Sequence, residues 1–126
     1  MTAQDAGAIE AIFRDHLIGR AIRALQVVGV NSLKTVTPGP EAVSGADISA
    51  VRVELPAIEI AAGAFNLHVH LARTGRVTWL EQAGEWSASE RTPPPTIRLL
   101  IDAGGALDFR EPAKTKRITV SILDAP

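Results

Sequence analysis

Near Asp47 the spacing of apolar residues changes from three and four to two, and this change restricts the fold more than any other feature of the chain. Upstream, Ile9, Ile12, Phe13, Leu17, Ala21, Ile22, Leu25 and Val28 recur at three- and four-residue steps. That is the spacing of one apolar helical stripe, and it predicts an amphipathic helix over residues 4–28. Thr2 or Asp5 suits its start, Glu10 and Arg14 pair four residues apart, Arg20 and Arg23 suit the negative end of the helix dipole, and Gly29 suits a C-terminal cap. Gly19 costs a helix interior about 1 kcal/mol relative to alanine, which points to close packing against a neighbour.

Downstream the pattern is that of strands. Val51, Val53 and Leu55 alternate with Arg52 and Glu54, Ile58 and Ile60 flank Glu59, and Pro56 marks a bend or an edge. Phe65 to Ala72 follows, then a turn at Arg73–Arg76 and Val77–Glu81 as the expected hairpin partner of the preceding strand. A turn over Gln82–Glu85 leads to an expected strand from Trp86 to Glu90, and Pro93, Pro94 and Pro95 form an extended connector that could also present a polyproline segment. Ile97, Leu99 and Ile101 alternate, Asp102 to Gly105 turns, and Leu107, Phe109, Ile118, Val120 and Ile122 complete the series. The expectation is a single α+β domain over residues 1–126. It has a helix over 4–28, a breaker-rich loop over 30–47 with at most a short strand at Leu33 to Val36, and a β-region over 48–123. The β-region forms a mostly antiparallel sheet or sandwich of six to seven short strands.

In the stretch Phe65 to Ala72, Phe65, Leu67, Val69 and Leu71 share one parity, while Asn66, His68 and His70 share the other. Side chains alternate across a strand, so one face is core and the other carries two imidazoles about 6.5 Å apart. His68 and His70 are therefore candidate ligands for a divalent metal, and Asn66, His68 and His70 a candidate small-ligand face. A complete zinc site needs three or four ligands. With no cysteine and one other histidine, His16, the remainder would be carboxylates such as Glu54, Glu59 or Glu81. The pair resembles in outline the metal motif of cupins, a glycine, His-x-His and then a glutamate. Gly63 precedes it here, but Thr74 and Gly75 stand where the glutamate would be. The structural alternative is a polar strand face with two ordinary histidines, and His16, beside Leu17, reads as a boundary residue.

Trp79 and Trp86 are two of only five aromatic residues and straddle a turn. They form either a cross-strand pair over the core or, where exposed, a binding contact. Glu81, Glu85 and Glu90 flank them and read as solvated turn acids before a general acid and base. No phosphate-binding glycine loop, nucleophile elbow or H-E-x-x-H pair occurs, so binding readings rank above enzymatic ones. The 13 basic and 14 acidic residues give a net charge of −1, and Lys114, Lys116 and Arg117 read as a solvated loop. No nucleic-acid partner is expected on that basis. No membrane partner is expected either, because the apolar runs fall short of the ~20 residues that span a bilayer. A soluble, cytoplasmic protein is the expectation, with no cysteine to report on redox compartment.

One family resemblance adds to this. A helix carrying Ala21-Ile22-Arg23-Ala24-Leu25 precedes Val51-Arg52-Val53-Glu54-Leu55, Ile58-Glu59-Ile60, Val77-Thr78-Trp79-Leu80, Ser87-Ala88-Ser89 and Thr96-Ile97-Arg98-Leu99. This order, over Ile9 to Ile101, resembles the trypsin-co-occurring domains of prokaryotic conflict systems. The long loop after the helix and an expected extra hairpin over Leu107 to Leu123 depart from it. The resemblance implies an adaptor without catalytic residues. The resulting expectation is a non-enzymatic protein-interaction or assembly module, with a protein partner or self-association through the helix flank, the Pro38–Gly45 loop or the tryptophan hairpin. The alternative is a small-ligand or metal-binding β-domain using Asn66, His68 and His70.

Overall fold

A computed structural model describes residues 5–29, 33, 39–72, 75–87, 94–111 and 117–124. The first helix, α1, spans Ala6–His16. Asp5 caps it, its carboxylate accepting from the Ala8 N–H at 2.7 Å. Ile9, Phe13 and Leu17, each four residues after the last, are fully buried, and such burial contributes roughly 2 kcal/mol per side chain. The helix stops where Gly19 adopts φ +86°, a left-handed conformation that side chains with a Cβ resist. The Leu17 and Ile18 N–H groups both donate to the Phe13 carbonyl, and the Gly19 N–H crosses to the Ile48 carbonyl.

The expected helix over 4–28 is therefore corrected: its second half is a strand, β1, at Ile22–Val27. The reason lies in a β-bulge. β1 pairs antiparallel with β6 (Ile97–Ile101), and the register shifts between Ile22 and Ala24. The extra residue places Ile22 and Leu25 on the same buried side although they are three apart. A bulged strand thus reproduces helical spacing.

β2 (Ile48–Glu54), β3 (Ala57–Ala62) and β4 (Phe65–His70) form a meander, and β8 (Thr119–Asp124) joins β4, giving the sheet order β2-β3-β4-β8. β5 (Arg76–Leu80) and β7 (Ala106–Arg110) complete the second sheet, ordered β1-β6-β7-β5. The α+β architecture and the antiparallel pairing are as the sequence predicts, with eight strands among the described residues because Ile22–Val27 joins them. Two expected hairpins do not form. The histidine strand β4 pairs with β3 and β8, and Val77–Leu80 pairs instead with β7. With both edges of β4 occupied, the chain turns at Ala72 (φ 63°) and crosses to the other sheet. It crosses back between β7 and β8, so 107–123 is no hairpin either. In the expected loop 30–47, Pro40–Val43 form a 3-10 turn with Val43 buried, and Leu33 makes an isolated parallel bridge to Val120. The rest of the strand expected at Leu33 to Val36 lies outside the described residues.

The two sheets share one apolar core. Ile58, Ile60, Leu67, Val69, Val120 and Ile122 from one sheet meet Leu25, Ile97, Leu99, Leu107 and Phe109 from the other. α1 packs against β2 and β5, the edge strands of different sheets. The helix stripe is covered by the chain's own sandwich.

Candidate functional site

On the outer face of β4, His70 is exposed, and Asn66 and His68 are half-buried. Opposite them Leu67 and Val69 are buried, as alternation requires. His68 faces Glu59 on β3 and Ser121 on β8, and its Nδ1 lies 3.5 Å from Glu59 Oε1. Arg52 faces Glu59 on the far side and hydrogen-bonds Glu54 at 2.5 Å. That bond, together with the charges of Glu54 and Glu59, raises the Arg52 pKa above its ordinary value. Among the described residues, no group of three His, Asp or Glu side chains is placed to hold a metal. The histidine face is thus a polar surface on which Arg52 pairs with Glu54 and His68 lies beside Glu59.

The tryptophans do not form a cross-strand pair. Trp79 lies on the inner side of β5 and stacks on His16 of α1, ring centroids 4.6 Å apart and planes within 8°. Its Nε1 donates to Glu81 at 3.1 Å. Trp86 lies outside any strand, in the segment 81–87 that covers the outer face of the β1-β6-β7-β5 sheet. Its N–H donates to Gln26 Oε1 at 2.7 Å and its carbonyl accepts from Gln26 Nε2 at 2.9 Å. Its indole nitrogen is buried and has no hydrogen-bond partner among the described residues. Residues 88–90 of the strand expected over Trp86 to Glu90 lie outside the described residues.

Beneath that segment lies a constellation the sequence reading missed. Arg98 and Asp108 face each other across β6 and β7 and are almost completely buried. Asp108 also accepts from Arg110, Nη2 to Oδ2 at 2.7 Å, and Arg98 Nη1 donates to the Gly84 carbonyl at 3.0 Å. The available signal was register arithmetic. A turn centred on Ala103 brings 98 opposite 108, as it brings Leu99 opposite Leu107.

Strand register also sorts the surface charges. Ala57, His70 and Thr119 are paired neighbours at one end of the first sheet, and Arg76 and Arg110 at one end of the second. The crossings 71–75 and 111–118 join these two ends, so they form one end of the sandwich. Arg76, Arg110 and the exposed Arg117 gather there beside His70. The stretch 112–116, outside the described residues, adds Lys114 and Lys116 in sequence. Of the acids at this end, Glu54 is engaged by Arg52, and Glu111 is buried and accepts from the Arg117 and Ile118 N–H groups at 2.5 and 3.2 Å. At the opposite end, Asp47, Glu81, Asp102 and Asp124 are exposed, beside the two exposed arginines Arg20 and Arg23. A net charge of −1 thus averages over two ends of opposite character.

No family model matches the sequence, and no characterised protein matches it either. Solved structures do share its fold. MutM in complex with carbocyclic 8-oxo-G containing DNA aligns with a TM-score of 0.73 and 13% identity, over 93% of this chain and 42% of that one. A complex between the LlFpg protein, a THF-DNA and an inhibitor aligns at 0.74 and 14%, also over 93% and 42%. Lactococcus lactis Fpg with abasic-site DNA aligns at 0.73 and 14%, with the same coverage. The chain therefore spans less than half the length of these proteins, and at this identity the likeness establishes the fold. It also corrects the expectation of a protein-interaction or adaptor module with no nucleic-acid partner, because these three structures that share the fold were each solved with DNA. Among the described residues, no helix is long and apolar enough to cross a membrane.

Proposed function

We propose that this chain is a DNA-binding domain that meets the phosphate backbone through Arg76 and Arg117, at the end of its sandwich where Arg110 is held by the buried Asp108. The observation that carries the reading is the strand register, which gathers these arginines at one end while the exposed Asp47, Asp102 and Asp124 lie at the other. Guanidinium groups bind phosphate oxygens in a planar, bidentate manner, and releasing the condensed counterions of DNA drives association. The solved structures with the same fold support the same partner class. Trp79 stacks against α1, and Phe109 is buried in the core. The proposed contact is therefore to the backbone, which positions a protein on DNA without reading sequence.

Fluorescence anisotropy with a labelled duplex, measured across a salt series, tests this. Binding that weakens steeply with salt is expected, and Arg76→Ala and Arg117→Ala should each lower the log–log salt slope by about 1. Asp124→Ala, at the far end, should leave that slope unchanged. Absence of binding at about 50 mM salt, where such contacts are strongest, would overturn the reading. So would equal effects of substitutions at the two ends.

A further inference from the structure

The buried carboxylate of Glu111 is unusual at a basic surface. It follows the last residue of β7, is 6% exposed, and turns back to accept the Arg117 N–H at 2.5 Å and the Ile118 N–H at 3.2 Å. One acid side chain thereby closes the crossing from β7 to β8, pinning its exit directly against its entrance. Ile118 is anchored in the core at 1% exposure, while Arg117, one residue earlier, is exposed. The carboxylate satisfies two backbone donors at the point where the chain leaves one sheet and enters the next. It also fixes the backbone from which the Arg117 guanidinium projects.

We infer that Glu111 is a positioning residue for nucleic-acid contact: its carboxylate holds the Arg117 and Ile118 amides against the end of β7 and sets where the Arg117 guanidinium is presented. This rests on the reading of the basic end as a DNA surface. A carboxylate at such a surface has two opposed effects on a polyanion. Its charge repels phosphate, so removing it would tighten binding if charge alone mattered. Its hydrogen bonds order the backbone that carries the Arg117 side chain, so removing it weakens binding if the clip matters. The sign of the effect separates the two.

The experiment is a double-mutant cycle on the full chain with labelled duplex DNA, combining Glu111→Ala with Arg117→Ala, alongside amide hydrogen exchange at Arg117 and Ile118. Glu111→Ala should weaken binding about threefold, comparable to the loss of one phosphate contact. It should cause no further weakening once Arg117 is already alanine, and it should release exchange protection at both amides. Glu111→Gln keeps an amide oxygen as acceptor and should restore part of the affinity. It also serves as the folded comparison where alanine lowers stability. Tighter binding by Glu111→Ala, or equal weakening with and without the Arg117 side chain, would overturn the clip while leaving DNA binding intact. A wild-type chain that binds no DNA would overturn the parent reading and the positioning role together, while exchange protection of the two amides would still report whether the carboxylate holds them.

Discussion

Arg98 and Asp108 form a two-pronged ion pair across the β6–β7 hairpin, Nε to Oδ1 at 2.8 Å and Nη2 to Oδ2 at 3.0 Å, with side-chain exposures of 3% and 0%. Burial makes such a pair costly to break. Arg98→Ala leaves the Asp108 carboxylate to its bonds with Arg110 and takes this donor from the Gly84 carbonyl. Urea denaturation should show a loss of about 3–5 kcal/mol. Replacing both residues with apolar side chains of similar volume should cost less than the single change. A single change within 1 kcal/mol of wild type would mean that the pair does not hold the 81–87 segment.

Gly105 lies directly under the Trp79 ring. A Cβ at position 105 would collide with Cη2 and come within 2.5 Å of Cζ2. Gly105→Ala should therefore destabilise by about 1–3 kcal/mol through overpacking and alter the Trp79 emission. Trp79→Phe in the same chain should recover part of the loss, because the smaller ring vacates the collision.

Gly19 ends α1 with φ +86° and open space around it. Gly19→Ala should cost about 1 kcal/mol from backbone strain alone, whereas in the interior of a helix over 4–28 the same change would stabilise. The sign of the shift in thermal midpoint distinguishes the two.

His68 and Glu59 are exposed by 40% and 42%, and their atoms approach to 3.5 Å. A double-mutant cycle on this pair should give a coupling below about 1 kcal/mol. A larger coupling would mark the histidine face as a structural network.

Parts of this architecture were legible in the sequence because a local rule governs them. Alternation at Phe65 to Leu71 predicted which side of β4 is core, and Leu67 and Val69 are buried accordingly. The Ile9, Phe13 and Leu17 stripe predicted α1. The failures come from features that sequence spacing does not encode. A bulge at Ile22 to Ala24 gave a strand a three-residue apolar step, extending the expected helix by three turns. The link after His70 is short enough for a hairpin, and only the occupied edges of β4 send it to the other sheet. Arg98 alternates with apolar neighbours like any outward residue, and its burial depends on a segment fourteen positions away in sequence. The balance of 13 basic and 14 acidic residues concealed a separation that only register reveals.

The two crossings that build the basic end also fasten the sheets together. A surface mounted on a seam of this kind inherits its shape from the stacking beneath it. Val77 and Ile118, the immediate chain neighbours of Arg76 and Arg117, are both seated in the core. Substitutions at those interior positions would retune the outward surface without touching a single exposed charge, tying its evolution to that of the hydrophobic interior.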